Sequence, residues 1–157
     1  MSDDMILFLL SSVFAKDLDN RLGVGINQTL GTVPTLSVRY GVPMPEKVME
    51  VQAEVFIGFD TAPRTQIQPI LNIGVKGSYG IIVEDNLNIL AGGALAFVDK
   101  DGDPTFRMLP SLEAQFFLMG LDNLSLGSTI GLNIDLGQTH SQIQVGGNVL
   151  GAIHYWF

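Results

Sequence analysis

Charge is confined to one side of an alternating pattern, and this constrains the chain more than any other feature. From Arg21 onward, apolar and polar residues alternate in long segments separated by clusters of Gly, Pro, Asn and Asp. A period of two is the mark of strands with two unlike faces. The segments run Arg21 to Leu30, Thr35 to Val42, Val48 to Phe59, Thr65 to Val83, Leu87 to Val98, Thr105 to Leu118, Leu124 to Leu136, and Gln142 to Phe157. One parity carries residues such as Val24, Ile26, Val38, Tyr40, Val55, Ile57, Ile73, Val75, Leu95, Phe97, Leu112, Phe116, Ile130 and Leu132, and no Lys, Arg, Asp or Glu interrupts it inside a segment. The other parity carries the mid-strand charges Arg39, Glu50, Glu54, Lys76, Arg107, Glu113 and Asp135, among Ser37, Gln52, Asn72, Ser78, Ser111, Gln115, Thr129 and Asn133.

Eight such segments predict an all-β fold: an eight-stranded antiparallel up-and-down transmembrane β-barrel over 18–157, preceded by a short apolar helical segment over 1–17. Most segments exceed the modal soluble strand of about 5–6 residues, and most reach the roughly 9–11 that cross a bilayer obliquely. Alternation alone does not say which face points inward, because a soluble lipid-binding barrel has an apolar interior. A solvated outer wall would be dense in Lys and Glu. Here the polar face is Gly, Ser, Asn, Gln and Thr with three basic and four acidic residues. That composition suits a packed lumen, and a charge on a lipid face near the midplane costs about 2–4 kcal/mol. The lumen charges are expected to pair, since a lone buried ion costs several kcal/mol, and their pairing predicts a plugged lumen. The soluble lipid-binding barrel is the alternative.

The totals narrow the function classes. A net charge of −8 with no basic cluster argues against nucleic acid as a partner. Without cysteine there is neither a disulfide framework nor a thiolate site. Asp99-Lys100-Asp101-Gly102-Asp103 spaces carboxylates as a calcium loop does, but Pro104 and Pro110 stand where an EF-hand needs Gly and Glu, so an acidic hairpin turn is expected. Gly23-Val24-Gly25-Ile26-Asn27-Gln28 begins like a dinucleotide fingerprint, but Gln28 replaces the third Gly and no helical pattern follows. His140 and His154 have no companion at a catalytic spacing. The expectation is no enzyme, no catalytic residue, no cofactor and no metal. Pro69 and Pro110, on the apolar parity, are expected at bulges or a rim near the outer strand ends.

Two segments stand apart. Ser2-Asp3-Asp4 supplies capping and first-turn acids for a helix through Met5, Ile6, Leu7, Phe8, Leu9, Leu10, Val13 and Phe14. At about 20 Å it would be too short to span a bilayer, and its apolar surface makes those residues candidates for an oligomer or lipid contact. Asp3 and Asp4 sit where a secretion signal needs positive charge, so a chain already mature near its start is expected. At the other end, Ile153-His154-Tyr155-Trp156-Phe157 is an alternating aromatic strand.

This ending, the strand count and the lumen charges resemble the small outer-membrane barrels of the OmpA transmembrane-domain and OmpX type. That resemblance implies a bacterial outer-membrane location, outer-membrane lipids around the barrel, and an assembly signal at Tyr155 and Phe157 read by the barrel-assembly machinery. It also implies a periplasmic position for both termini and for the turns Pro43 to Lys47, Glu84 to Asn86 and Gly120 to Asn123. Tyr155 and Phe157 would then lie at the lipid boundary, with His154 and Trp156 at the lumen mouth. The four outer loops are short where that class often makes them long, which points to envelope structure rather than adhesion. With its short loops, small barrel and apolar N-terminal segment, the chain is also similar in outline to porin-like ring proteins of predatory bacteria. This second resemblance implies a homo-oligomer holding lipid between protomers.

Overall fold

The computed structural model describes residues 16–28, 30, 33–44, 50–60, 70–100, 103–137 and 141–157. Eight strands follow one another: β1 Leu22–Asn27, β2 Thr35–Val42, β3 Val51–Asp60, β4 Ile70–Val83, β5 Leu87–Lys100, β6 Asp103–Leu118, β7 Leu121–Gly137 and β8 Ser141–Trp156. Each is antiparallel to its sequence neighbour, and β1 pairs with β8 to close the barrel in simple up-and-down order. Closure removes the free edges that an open sheet would leave wherever the pairing is complete. No helix among the described residues is long and apolar enough to cross a membrane, which says nothing about crossing by strands. The expected helix over 1–17, with its contact residues from Met5 to Phe14, lies almost wholly outside the described residues.

The alternation seen in the sequence becomes inside and outside. In β3, Gln52, Glu54 and Phe56 are buried while Ala53, Val55, Ile57 and Phe59 are exposed. In β4, Asn72, Lys76 and Ser78 are buried while Leu71, Ile73, Val75 and Tyr79 are exposed. Only two charged residues among the described strand positions take the outward parity, Asp99 and Asp122, and both are one residue in from a strand end. A bulge between Gly80 and Ile82 lets Ile81 and Ile82 both face outward.

The wall is uneven. β4 to β8 are 14, 14, 16, 17 and 16 residues long, whereas β1 and β2 have 6 and 8. Among the described residues, the strands therefore reach farther from the terminal end, where β1 begins and β8 finishes, on the β5–β8 side than on the β1–β3 side.

Three expectations need correction. The first strand was expected to reach Leu30, but β1 stops at Asn27 and Leu30 turns inward to become buried. Its apolar side chain joins Phe56, Ala94, Ala96, Val98 and Leu109 in a cluster inside the barrel. The lumen is thus polar in one part and apolar in another, not polar throughout. Pro110 lies outward in mid-strand opposite Gly93, not near an end, and the β6–β7 ladder skips Leu109 and Pro110, where proline has no N–H to donate. Pro69 is outside the described residues.

Candidate functional site: the sealed lumen

Strand register builds the charged centre. Arg39 on β2 stands opposite Glu54 on β3, and Glu54 stands opposite Lys76 on β4, giving a plus–minus–plus row across three adjacent strands. Glu113 reaches in from β6 on the far wall. Its carboxylate accepts from Arg39 Nη1 and Nη2 at 2.7 and 3.1 Å and from Lys76 Nζ, while Arg39 Nε donates to Glu54 Oε2 at 3.0 Å. Asn27 Nδ2 donates to the other Glu54 oxygen at 2.7 Å. Two cations and two carboxylates, each at most 4% exposed, therefore neutralise one another. Bidentate geometry and full pairing are what a buried ion cluster needs to offset its desolvation.

Of the seven predicted lumen charges, these four meet directly. Glu50 joins through amides: Gln52 Nε2 and Asn88 Nδ2 donate to it, the latter at 3.0 Å. Gln52 and Asn88 also donate to Gln115 Oε1, and Gln115 and Trp156 Nε1 donate to Ser125 Oγ, the latter at 2.9 Å. Arg107 and Asp135 form a separate bidentate pair with both contacts at 2.6 Å, and Arg107 Nη1 donates to the carbonyl of Leu30 at 2.6 Å. That bond ties the backbone at Leu30 to the wall.

Buried apolar side chains cluster at two levels beside this network. At the terminal end, Leu18, Phe117 and Trp156 cluster beneath the turn Asp17–Asn20, with Trp156 fully buried and Leu18 1% exposed. The turn is held by Asn20 at φ 61°, by Arg21 N donating to Leu18 O at 3.0 Å, and by Asn20 N donating to Gly41 O at 2.9 Å. Gly41 is needed there, because a Cβ would stand 1.8 Å from the Leu18 carbonyl oxygen. Toward the distal end, Leu30 and Phe56 lie in the apolar cluster inside the barrel. Trp156 and His154, expected at the lumen mouth, are instead buried inside it.

His154 forms a constellation that the sequence did not reveal. Its Nε2 hydrogen-bonds Ser37 Oγ and lies 3.7 Å from Glu54 Oε1. In a hydrolytic triad the hydroxyl and the carboxylate hold opposite ring nitrogens. Here both approach the same nitrogen, and Ser37 is fully buried. The arrangement orients and packs an imidazole.

The aromatic terminus is ordered against the rest of the wall. Tyr155 and Phe157 face outward with ring centroids 5.1 Å apart in an edge-on arrangement, and both are exposed. Phe157 N donates to Leu22 O at 2.8 Å, while Arg21 donates to the carbonyls of Trp156 and Phe157 at 3.1 and 3.3 Å. Among the described residues no group of His, Asp and Glu is placed to hold a metal ion.

Glu50 sits just outside β3, beneath the capping turn. Burial is the main cause that pushes its carboxyl up from 4.5 to about 7, opposed next by the hydrogen bond from Gln52, with Asp19 and Asp17 adding smaller repulsions. Below about pH 4.5 this carboxyl is protonated in folded and unfolded chains alike and costs nothing. As pH rises from there to about 7, the unfolded chain ionises while the folded one keeps its proton, so stability falls by about 3 kcal/mol. Glu50→Gln is expected to remove that decline, leaving the two proteins alike near pH 4.5 and the variant more stable at pH 8. Thermal midpoints in detergent across this range check it, and an unchanged pH slope in the variant would refute it.

No family model, curated protein or solved structure matches the chain.

Proposed function

We propose that this chain is a non-enzymatic outer-membrane barrel with a closed lumen that contributes to the structure and integrity of a bacterial envelope. The observation that carries the reading is the contrast between its two faces. Residues such as Ile26, Leu36, Val55, Ile57, Phe59, Ile73, Val75, Leu95, Phe97, Leu112 and Ile130 are large, apolar and exposed on the outside, while ion pairs and amides fill the inside. In water such an apolar surface, wrapping a whole barrel, would be far larger than the few hundred Å² that soluble monomers tolerate. In lipid it is the required surface. A soluble lipid carrier would need the reverse arrangement, with an apolar bore wide enough for a chain. This bore is occupied by its own Arg39, Glu113, Trp156 and Leu30.

In this reading outer-membrane lipids cover the belt, and Tyr155 and Phe157 present the assembly signal to the barrel-assembly machinery during insertion. Rigidity, supplied by closure and by the central ion cluster, is then the property that serves the envelope. The expected result is that the protein partitions to the membrane fraction, needs detergent for extraction, changes gel mobility on heating, and gives no steady ion conductance as purified monomer in planar bilayers. Solubility without detergent would end the membrane reading. Steady conductance would end the closed-lumen reading alone.

A further inference from the structure

A buried acid lies under the turn that covers the terminal end. Of the four residues Asp17 to Asn20, only Leu18 is apolar, and it packs with Phe117 and Trp156 inside the barrel. The carboxylates on either side of it in sequence, Asp17 and Asp19, both act on Glu50. Register explains why. The Leu18 carbonyl lies against Gly41, Gly41 pairs with Gln52, and Gln52 donates to Glu50. Glu50 is 7% exposed, and its backbone oxygen accepts from Gly80 N at 2.6 Å.

The surroundings of this carboxyl differ from those of the other inward acids. Glu54, Glu113 and Asp135 each hold an arginine nitrogen at 3.0 Å or less, whereas among the described residues no cation forms an ion pair with Glu50. Its neighbours on the wall are neutral: Gln52 on β3, the Gly80 N–H on β4, Asn88 on β5 and, through these amides, Gln115 on β6. The charged groups facing it are Asp17 and Asp19 from the turn and Arg39 from β2, and Arg39 is already engaged by Glu54 and Glu113. A carboxyl so placed keeps its proton while buried and ionises readily only when water reaches it. The turn above it is lightly fastened. Asn20 N donates to Gly41 O at 2.9 Å, Gly41 N to Arg21 O at 3.0 Å, and the Tyr40 hydroxyl to Asn20 Oδ1 at 3.1 Å, while Lys16 and Asp122 approach only to 3.8 Å. Segments with so few buried apolar contacts open locally without unfolding the whole.

We propose that the turn Asp17–Asn20 is a pH-sensitive lid on the terminal end, shut over Trp156 while Glu50 is protonated and displaced, with Leu18 withdrawn, once Glu50 ionises. The sign follows from linkage. Glu50 ionises more easily in the open form, where water solvates it, than in the shut form, where burial holds its carboxyl up at about 7. Raising the pH through this range therefore shifts the population toward the open form, and lowering it seals the end. The new charge also repels Asp17 and Asp19, which ride on the lid itself. Opening exposes the indole and the amide layer of Gln52, Asn88 and Gln115. It leaves the cluster of Arg39, Glu54, Lys76 and Glu113 in place, so the inference goes beyond the closed-lumen reading without requiring conductance.

Trp156 is the chain's only tryptophan, so its fluorescence reports on the lid without a label. In the full-length folded protein, acrylamide quenching of Trp156 is expected to be at least threefold stronger at pH 8.5 than at pH 5.5. Glu50→Gln is expected to keep the low acid value at both. Leu18→Ala, which removes the side chain covering the indole, should be strongly quenched at both. Wild-type quenching that does not change with pH, or that rises equally in Glu50→Gln, would overturn the proposal. Weak quenching in Leu18→Ala would do the same, since Leu18 would then not be the cover. A rise that appears only as the heat-modifiable band is lost would also overturn it, because the whole barrel would be opening rather than its lid. The measurement needs only a folded barrel, so its outcome is separate from those of the extraction and conductance tests.

Discussion

Replacing Glu113 by Ala is expected to cost about 3–5 kcal/mol, the largest single loss from any lumen side chain, because it leaves two buried cations short of their shared anion. Glu113 is 2% exposed, pairs with Arg39 through its two terminal guanidinium nitrogens, Nη1 and Nη2, and also accepts from Lys76. Arg39 keeps Glu54 as a partner after the change, but Lys76 loses its direct ion pair. Truncation therefore does more than remove an attraction: it strands charge in a place that water cannot readily reach. Adding Lys76→Met to the variant should recover a good part of the loss, since a neutral, well-packed replacement of a buried pair is often nearly isoenergetic. Urea titrations of the folded, heat-modifiable species in detergent measure both. A loss below about 1 kcal/mol for the single variant would show that the cluster is not a buried network in the folded protein.

The second large effect is expected at the seam. Gly25 lies on β1 opposite His154, and a Cβ built there would stand 1.8 Å from the carbonyl oxygen of Ile153 and 2.8 Å from the His154 Cα. Both obstacles are backbone, so no rotamer change relieves them. Gly25→Ala should therefore fall at or beyond the upper end of the roughly 1–3 kcal/mol usual for overpacking, and it should act by opening the β1–β8 pairing. Gly77→Ala is the matched control, because a Cβ there meets nothing within 4 Å. Limited proteolysis and the unfolding midpoint should separate the two variants clearly, and equal behaviour would mean that the seam can yield at Gly25.

Most of the architecture was legible in the sequence because a barrel with two unlike faces writes its inside and outside into alternate residues. The eight segments, their order and the inward parity of Arg39, Glu54, Lys76 and Glu113 all follow from that period. What remained hidden has local physical causes. β5 carries Leu90, Ala94, Ala96 and Val98 inward and Ile89, Leu95 and Phe97 outward, so both faces are apolar and its period says nothing about what its inner face will meet. That apolar half of the bore draws Leu30 inward and ends β1 early, although Leu30 continues the outward parity of Val24 and Ile26. The His154 and Ser37 pairing joins residues 117 positions apart, and only closure brings them together. Glu50 was grouped with the ion pairs by parity alone. Its partners turned out to be amides, since Gln52 and Asn88 fill the level where it sits.

The plus–minus–plus row of Arg39, Glu54 and Lys76 also acts as a key for alignment. Apolar alternation forbids a slip of one residue between neighbouring strands, because that would turn every side chain to the wrong face. It is indifferent to a slip of two. Such a slip of β3 would keep the apolar face outward, yet it would carry Glu54 away from both Arg39 and Lys76 and set Gln52 or Phe56 in its place. Three charges on three adjacent strands thus distinguish the native alignment from the near-misses that hydrophobicity cannot reject. A chain pairing strand by strand would carry its own proofreading in the lumen.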